Sequence, residues 1–334
     1  MKKKIVCFGV RDYEIPTFRK LAKEYDYELV LRPEYLSDSI INLAVGYEVV
    51  MVRANCIISR ENYLMLKEKG LKYYITRTAG YGHINLEACR EYGIEAAYVP
   101  GYSPNAISEL AVALTMSLLR NVQYTCDKSD TLDFKVTDKM FSKEIRSCTI
   151  GIIGCGRIGS TSAKLFAGLD AKVIANDNHP NNPQPYFEYV DFEKLLKESD
   201  VVLLHAAYAA GKNDDLIGEK EIAMMKDGAI LVNTARGELV DEIAVAKAVE
   251  SGKLAGYGTD VIKNEKAIFN HVFNSLDEVP SPAFRELLKL YPKVIITPHV
   301  ASATEGALRD MVEISLQNMD EYLTTGKCKN SLIK

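Results

Sequence analysis

Short runs of apolar, β-branched residues alternate along the chain with longer amphipathic segments. The first runs are Lys4–Phe8, Tyr27–Leu31, Val49–Arg53, Tyr73–Arg77 and Ala96–Val99. Between them, segments such as Ile15–Glu24 and Ser59–Lys69 repeat apolar residues at helical spacing. This alternation predicts a parallel sheet with helices on both faces. It pauses at Ala106–Arg120, where Ile107, Leu110, Ala111, Val112, Leu114, Leu118 and Leu119 make a helix apolar on most sides, with Asn105 or Ser103 as its cap. Such a helix belongs in a core or at a subunit contact. The polar stretch Gln123–Lys143 reads as a connection. A second alternation follows, with strands at Thr149–Ile153, Lys172–Ala175, Val201–His205, Ala229–Asn233, Tyr257–Val261 and Val294–Thr297. Lys263–Ser281 reads as a loop. Glu305–Thr325 reads as a long helix, stopped by Gly326 and packing back on the first unit.

Composition narrows the class. A chain of 334 residues fits about two domains. A net charge of −4 argues against nucleic acid as a main partner, which needs a basic face. No run of 18 apolar residues predicts a membrane span, and the apolar stretch after Met1 is short for a signal peptide, so the cytoplasm is the expected compartment. The seven cysteines are odd in number and form no CxxC, which argues against a disulfide framework or a zinc ribbon. The chain has no Trp, so an aromatic pocket wall must be Tyr or Phe.

Gly154-Cys155-Gly156-Arg157-Ile158-Gly159 is a GxGxxG, placed between the strand Thr149–Ile153 and the helix-compatible run Ser160–Leu169. In that context glycines permit a tight turn, a close approach of backbone to pyrophosphate and close helix–strand packing. The N–H groups of the helix N-terminus then face the anion. Asp177 follows the next strand, 23 residues past Gly154, where a carboxylate binds ribose hydroxyls and repels a 2′-phosphate. Asn178 and His179 come next, with no Arg to receive that phosphate, so the expected cofactor is NAD.

Hydride transfer to a carbonyl needs a proton donor, a cation for the substrate carboxylate, and a carboxylate that keeps the donor protonated. Arg236, Glu265 and His299 supply one of each near the carboxyl ends of predicted strands, the edge where parallel sheets bind ligands. Taken singly, each has an ordinary alternative. Arg236 also suits a surface position at a helix start, Glu265 is one acid among many, and a lone His is often structural. His83, His179 and His271 lie in turns or polar stretches and read as solvated. His205 ends a strand, either lining the cofactor cleft or capping the strand.

Over nearly its whole length the chain resembles the D-2-hydroxyacid dehydrogenases. The resemblance runs through Arg77-Thr78-Ala79-Gly80, Val99–Glu109, the glycine turn, Asn233–Asp241, Tyr257–Glu265 and Ile296–His299. It is nearest to the branch that holds D-lactate, phenyllactate and, closest, (R)-2-hydroxyglutarate dehydrogenases. It implies two doubly wound parallel-sheet α/β domains, a Rossmann NAD-binding domain (102–299) inserted into a flavodoxin-like substrate domain (1–101 plus 300–334), with a cleft between them. By the same resemblance His299 is the acid/base, Glu265 its carboxylate partner, and Arg236 the substrate-carboxylate cation. The N–H groups of Ala79 and Gly80 also hold that carboxylate, and Tyr102 closes over the substrate. Gly154, Gly156, Arg157, Ile158 and Gly159 meet the pyrophosphate, with Asp177, His205, Thr234, Ala235 and Asp260 as further cofactor contacts. The apolar helix 106–120 matches the element that forms homodimers. No metal is implied.

Three places depart from the wider pattern. Tyr81-Gly82 stands where an acid is common, His205-Ala206-Ala207 lacks a proline, and His299–Thr304 lacks an aromatic residue. Arg53 matches an arginine of the (R)-2-hydroxyglutarate branch. A cation there suits a distal substrate carboxylate, and the alternative is a surface ion pair. The expected reaction is therefore NAD-dependent, reversible reduction of a 2-oxoacid to the (R)-2-hydroxyacid, with 2-oxoglutarate the favoured substrate. Lactate, 2-hydroxyisocaproate and phenyllactate chemistry are alternatives within the class, and a non-catalytic NAD-sensing corepressor is the alternative outside it.

Overall fold

A computed structural model describes residues 3–25, 27–180 and 184–333. The chain divides into two compact units, Met1–Ser103 with Ala303–Lys334, and Pro104–Ser302.

In the first unit, five parallel strands run β1 (Lys3–Cys7), β2 (Tyr27–Leu31), β3 (Val49–Val52), β4 (Tyr73–Thr76) and β5 (Glu95–Ala97), in the order β2-β1-β3-β4-β5. Helices α1 (Ile15–Leu21), α2 (Arg60–Glu68) and α3 (Leu86–Tyr92) connect them. Successive strand residues point to opposite faces, and each face has its own core. Val6, Val50, Val52 and Tyr74 meet Tyr63 and Leu66 of α2 and Cys89 of α3. Ile5, Cys7, Val49, Met51 and Ile75 meet Phe18 of α1 and Val312, Leu316 and Met319 of the final helix, Glu305–Thr325. That helix ends, as expected, at Gly326 with φ +71°. Its return explains why the first unit needs the end of the chain. Without it that face of the sheet would be covered by α1 alone.

The second unit holds seven strands: β6 (Thr149–Ile153), β7 (Lys172–Asn176), β8 (Glu188–Tyr189), β9 (Val201–Leu204), β10 (Ala229–Asn233), β11 (Leu254–Thr259) and β12 (Val294–Ile296). Their order is β12-β11-β10-β9-β6-β7-β8, every pair parallel. The chain moves outward from β6 through β7 to β8, then returns to lay β9 on the other side of β6. The point between β6 and β9 is thus the topological switch of a doubly wound sheet, where a crevice opens at the carboxyl ends. Helices here are α4 (Pro104–Leu119), α5 (Val122–Asp130), α6 (Arg157–Gly168), α7 (Phe192–Glu198), α8 (Glu219–Met224), α9 (Glu242–Ser251) and α10 (Pro282–Leu288).

Much of the apolarity of α4 is spent inside its own unit. Leu114 and Leu118 pack on the glycines of β11, so closely that a methyl at Gly256 would lie 2.8 Å from Leu118, and Ser108 donates to the Ile158 carbonyl of α6. This packing covers part of the helix surface, and Leu110, Val112 and Met116 are only half-buried within the unit. The polar stretch after it is not all connection, because Val122–Asp130 is helical. It buries no side chain, so no apolar stripe marked it. Beyond it Leu132, Phe134, Val136 and Phe141 are 79, 72, 79 and 77% exposed. Among the described residues no helix is long and apolar enough to cross a membrane, and no cluster of acids, His and Cys suits a metal.

Candidate active site

The glycine turn sits at the switch point, between the ends of β6 and β9. Gly154 has φ +88°, and a Cβ there would lie 2.5 Å from Ala206, which follows β9. A Cβ at Gly159 would lie 2.1 Å from the Gly154 carbonyl oxygen, so the third glycine lets α6 close on the turn. Gly156 differs. It is the residue before α6, and a Cβ there would meet nothing within 4 Å. The helix N-terminus therefore faces open space unscreened by a side chain, which fits a pyrophosphate group. Arg157 and Ile158 form the first turn of α6. Asp177 follows β7 and accepts hydrogen bonds from the N–H of Cys155 at 2.7 Å and of His179 at 2.8 Å, so its carboxylate is already tied to the turn. These residues together suit a dinucleotide.

His205 lies directly after β9. Its Nε2 is 2.8 Å from Ser162 Oγ on α6, and its Nδ1 is 3.5 Å from Thr234 Oγ1 after β10. Burial pushes its pKa down to about 4, so the ring is neutral near pH 7. Thr234 and Ala235 are buried in the turn that follows β10, where the Asn233 side chain accepts from the Ala235 N–H and donates to the Arg236 carbonyl. That turn aims the Arg236 side chain outward, and its Nη1 donates to the Ala235 carbonyl.

His299 and Glu265 meet. The ring Nδ1 lies 3.0 Å from both carboxylate oxygens, which leaves Nε2 as the ring atom free for a substrate. The hydrogen bond to Glu265 raises the His299 pKa above its ordinary value, with burial and the Arg236 charge opposing. His299 adopts φ +54°, a left-handed conformation costly for a non-glycine residue. Asp260 holds it there. Its backbone carbonyl accepts from the His299 N–H at 2.9 Å, and its buried carboxylate takes Thr297 Oγ1 and the N–H groups of Val300 and Ala301. Asp260, expected at the cofactor, thus has its oxygens occupied by the His299 turn. Burial raises its pKa, against those hydrogen bonds.

In the first unit the carboxyl ends of the strands carry a second charged group. Glu14 and Arg77 are both 1% exposed. Arg77 Nη1 donates to Glu14 Oε1 at 2.8 Å, and Nη2 donates to the carbonyls of Phe8 and Gly9. The other Glu14 oxygen accepts from the Arg11 N–H at 2.7 Å and lies 3.4 Å from Arg53 Nη1. Arg53 follows β3, and its side chain is 17% exposed. The surface ion pair weighed as the alternative role of Arg53 is corrected. The pair exists but is sunk beside a buried carboxylate. Two guanidinium groups share one carboxylate, leaving an excess positive charge. Arg77 also anchors the loop through Ala79 and Gly80, which Thr78 Oγ1 ties by a 2.7 Å bond to the Gly80 carbonyl. His83, read as solvated, is half-buried, with Nε2 3.0 Å from Thr76 Oγ1. Tyr102 is partly exposed just before α4. Glu14 had no signal in the sequence: it is one acid at a helix start, 63 residues from its partner Arg77.

Residues 112–301 match the family described as D-isomer specific 2-hydroxyacid dehydrogenase, NAD binding domain. A D-2-hydroxyacid dehydrogenase (NAD(+)) of Clostridioides difficile is 38% identical over 98% of this chain and 99% of its own. An aromatic 2-oxoacid reductase of Clostridium sporogenes is 36% identical over 99% of both chains. Among solved structures, the NAD-complexed D-isomer specific 2-hydroxyacid dehydrogenase of Lactobacillus delbrueckii ssp. bulgaricus is similar, with a TM-score of 0.89 at 35% identity, over 99% of this chain and 100% of that one.

Proposed function

We propose, for a chain that belongs to the D-isomer specific 2-hydroxyacid dehydrogenases and is an NAD-dependent oxidoreductase, that it reduces 2-oxoglutarate to (R)-2-hydroxyglutarate. The reaction centre rests on one observation, His299 Nδ1 held 3.0 Å from the Glu265 carboxylate. Bound NADH supplies the hydride for the carbonyl carbon. His299 donates the proton of Nε2 to the carbonyl oxygen, and Glu265 stabilises the ring while it carries that proton. Arg236 binds the substrate carboxylate and polarises the carbonyl. The N–H groups of Ala79 and Gly80 hold the same carboxylate, and Tyr102 covers the substrate. The sum balances as 2-oxoacid, NADH and a proton giving 2-hydroxyacid and NAD.

The choice of 2-oxoglutarate rests on Arg53. Among the described residues its ion pair is with a carboxylate that Arg77 already engages, so its remaining N–H groups favour a second anion. Arg53→Ala is expected to raise KM for 2-oxoglutarate about tenfold or more while KM for pyruvate changes little, as loss of one charged hydrogen bond predicts. Equal responses from both substrates would remove the distal-carboxylate role. The name of the Clostridium sporogenes relative favours a second reading, an aromatic 2-oxoacid. NADH oxidation with 2-oxoglutarate, pyruvate, 2-oxoisocaproate and phenylpyruvate separates the two directly.

Asp177 is read as the ribose-binding acid. In Asp177→Ser, kcat/KM for NADH is expected to fall about tenfold or more while NADPH gains, because a repulsion and a charged acceptor are both removed. An unchanged NADH to NADPH ratio would assign Asp177 to the turn alone. A homodimer is part of this reading, with α4 as the element the resemblance assigns to it and the exposed Leu132, Phe134, Val136 and Phe141 as a further contact. A Phe134→Asp, Val136→Asp variant that keeps the native mass in light scattering would exclude that contact.

A further inference from the structure

Arg236 and Glu265 come from separate turns of the second unit, and those turns touch behind the site. A Cβ on Gly237, the residue after Arg236, would lie 2.0 Å from the Ile262 carbonyl carbon and 2.4 Å from the Lys263 nitrogen. Just beyond this contact is Glu242, the first residue of α9, only 3% exposed. A Glu in a first helical turn commonly faces solvent, where its charge complements the helix dipole. Here Asp241 caps the helix instead, accepting from the N–H groups of Ile243 and Ala244. Glu242 turns inward, and its Oε1 accepts the N–H of Lys263 at 2.8 Å.

We propose that Glu242 is a positioning residue for the His299–Glu265 pair: its buried carboxylate pins the backbone of the loop that presents Glu265. Lys263 is held twice, by this bond and by the ion pair of its Nζ with Asp215. Two residues later comes Glu265, reached through Asn264 at φ +54°. So short a stretch has little slack. On the far side, the Glu265 carbonyl accepts the N–H groups of Ile268 and Phe269. The backbone that presents the Glu265 carboxylate is therefore held on both sides, and Glu242 is the only side chain among the described residues that bonds the backbone of Lys263. The charged and titratable groups around Glu242 are Lys263, Asp215, Asp241 and Tyr257. Leaving a buried N–H unpaired is costly, so loss of the acceptor frees the loop to move toward water.

The inference rests on reading His299 and Glu265 as the acid–base pair, and its test measures the ring directly. The full-length protein, labelled at histidine carbons, is titrated by NMR, with the His299 signal assigned from His299→Gln. Glu242→Met, which keeps the volume and removes the acceptor, is expected to lower the His299 midpoint by half a pH unit or more. It should also lower kcat/KM for 2-oxoacid reduction at pH 8 by ten- to a hundredfold. Glu242→Gln, which keeps an acceptor oxygen, is expected to restore the wild-type midpoint. A Glu242→Met protein whose His299 midpoint stays in place overturns the proposal, whatever its melting temperature. So does Glu242→Gln shifting as far as Glu242→Met. Failure of the underlying reading looks different: His299→Gln stays active while the Glu242→Met midpoint still moves.

Discussion

Replacing His299 by Gln is expected to lower turnover by about 10²- to 10⁴-fold, the range a positioned general acid contributes. Binding of NADH should change little. The pH dependence gives the sharper test. Glu265 raises the pKa of His299, so the ring stays protonated to a pH above the ordinary imidazole midpoint. With His299 as the proposed proton donor, reduction would use the protonated ring, and its rate should hold at low pH and fall as pH rises through the raised value. Oxidation of the hydroxyacid uses the neutral ring and should rise over the same interval. Glu265→Gln removes the largest cause of the shift, so both limbs should move to lower pH. Rate profiles in the two directions, with wild type and Glu265→Gln, check each statement. Profiles that do not move, or a His299→Gln enzyme within threefold of wild type, would assign the proton to another group.

The glycine turn separates stability from cofactor binding. Gly154→Ala places a methyl 2.5 Å from Ala206 at φ +88°. A misplaced left-handed residue and local overpacking together cost about 2–5 kcal/mol. Melting temperature should therefore fall, and NADH affinity with it, because the ends of β6 and β9 must part. Gly156→Ala should do otherwise. Its methyl meets no protein atom within 4 Å, so the melting temperature should stay near wild type. The same methyl enters the space in front of the α6 N-terminus, so the Kd for NADH should rise tenfold or more if a phosphate sits there. Scanning calorimetry and NADH fluorescence titration read the two effects separately. A Gly156→Ala protein that binds NADH as wild type does would move the pyrophosphate away from this turn.

Much of the second unit was legible locally. GxGxxG between a strand and a helix carries its own physics, since each glycine answers a steric demand within a few residues or across one adjacent strand. Apart from the two-residue edge strand β8, which is not buried, the strands of both units were legible because buried parallel strands are continuous apolar runs. The helix Val122–Asp130 was not, because it buries no side chain and so carries no periodic stripe. The role of α4 as core or subunit element was not legible for the opposite reason. An apolar helix reports that it is covered, and nothing in its sequence says whether by its own sheet or by another chain.

What the sequence determined by itself was the alternation, the turn that suits a dinucleotide, and the residue types near strand ends that hydride transfer requires. Tertiary structure decided which of those residues meet. His299 and Glu265 are 34 residues apart, and their contact depends on a loop tied down by Glu242 and on a turn held by Asp260. Arg53 acquired a buried partner, Glu14, that no spacing announced. Periodicity and turns are local, so a chain displays them residue by residue. Charge pairing is a matter of distance in space, set only once sheets and loops have closed.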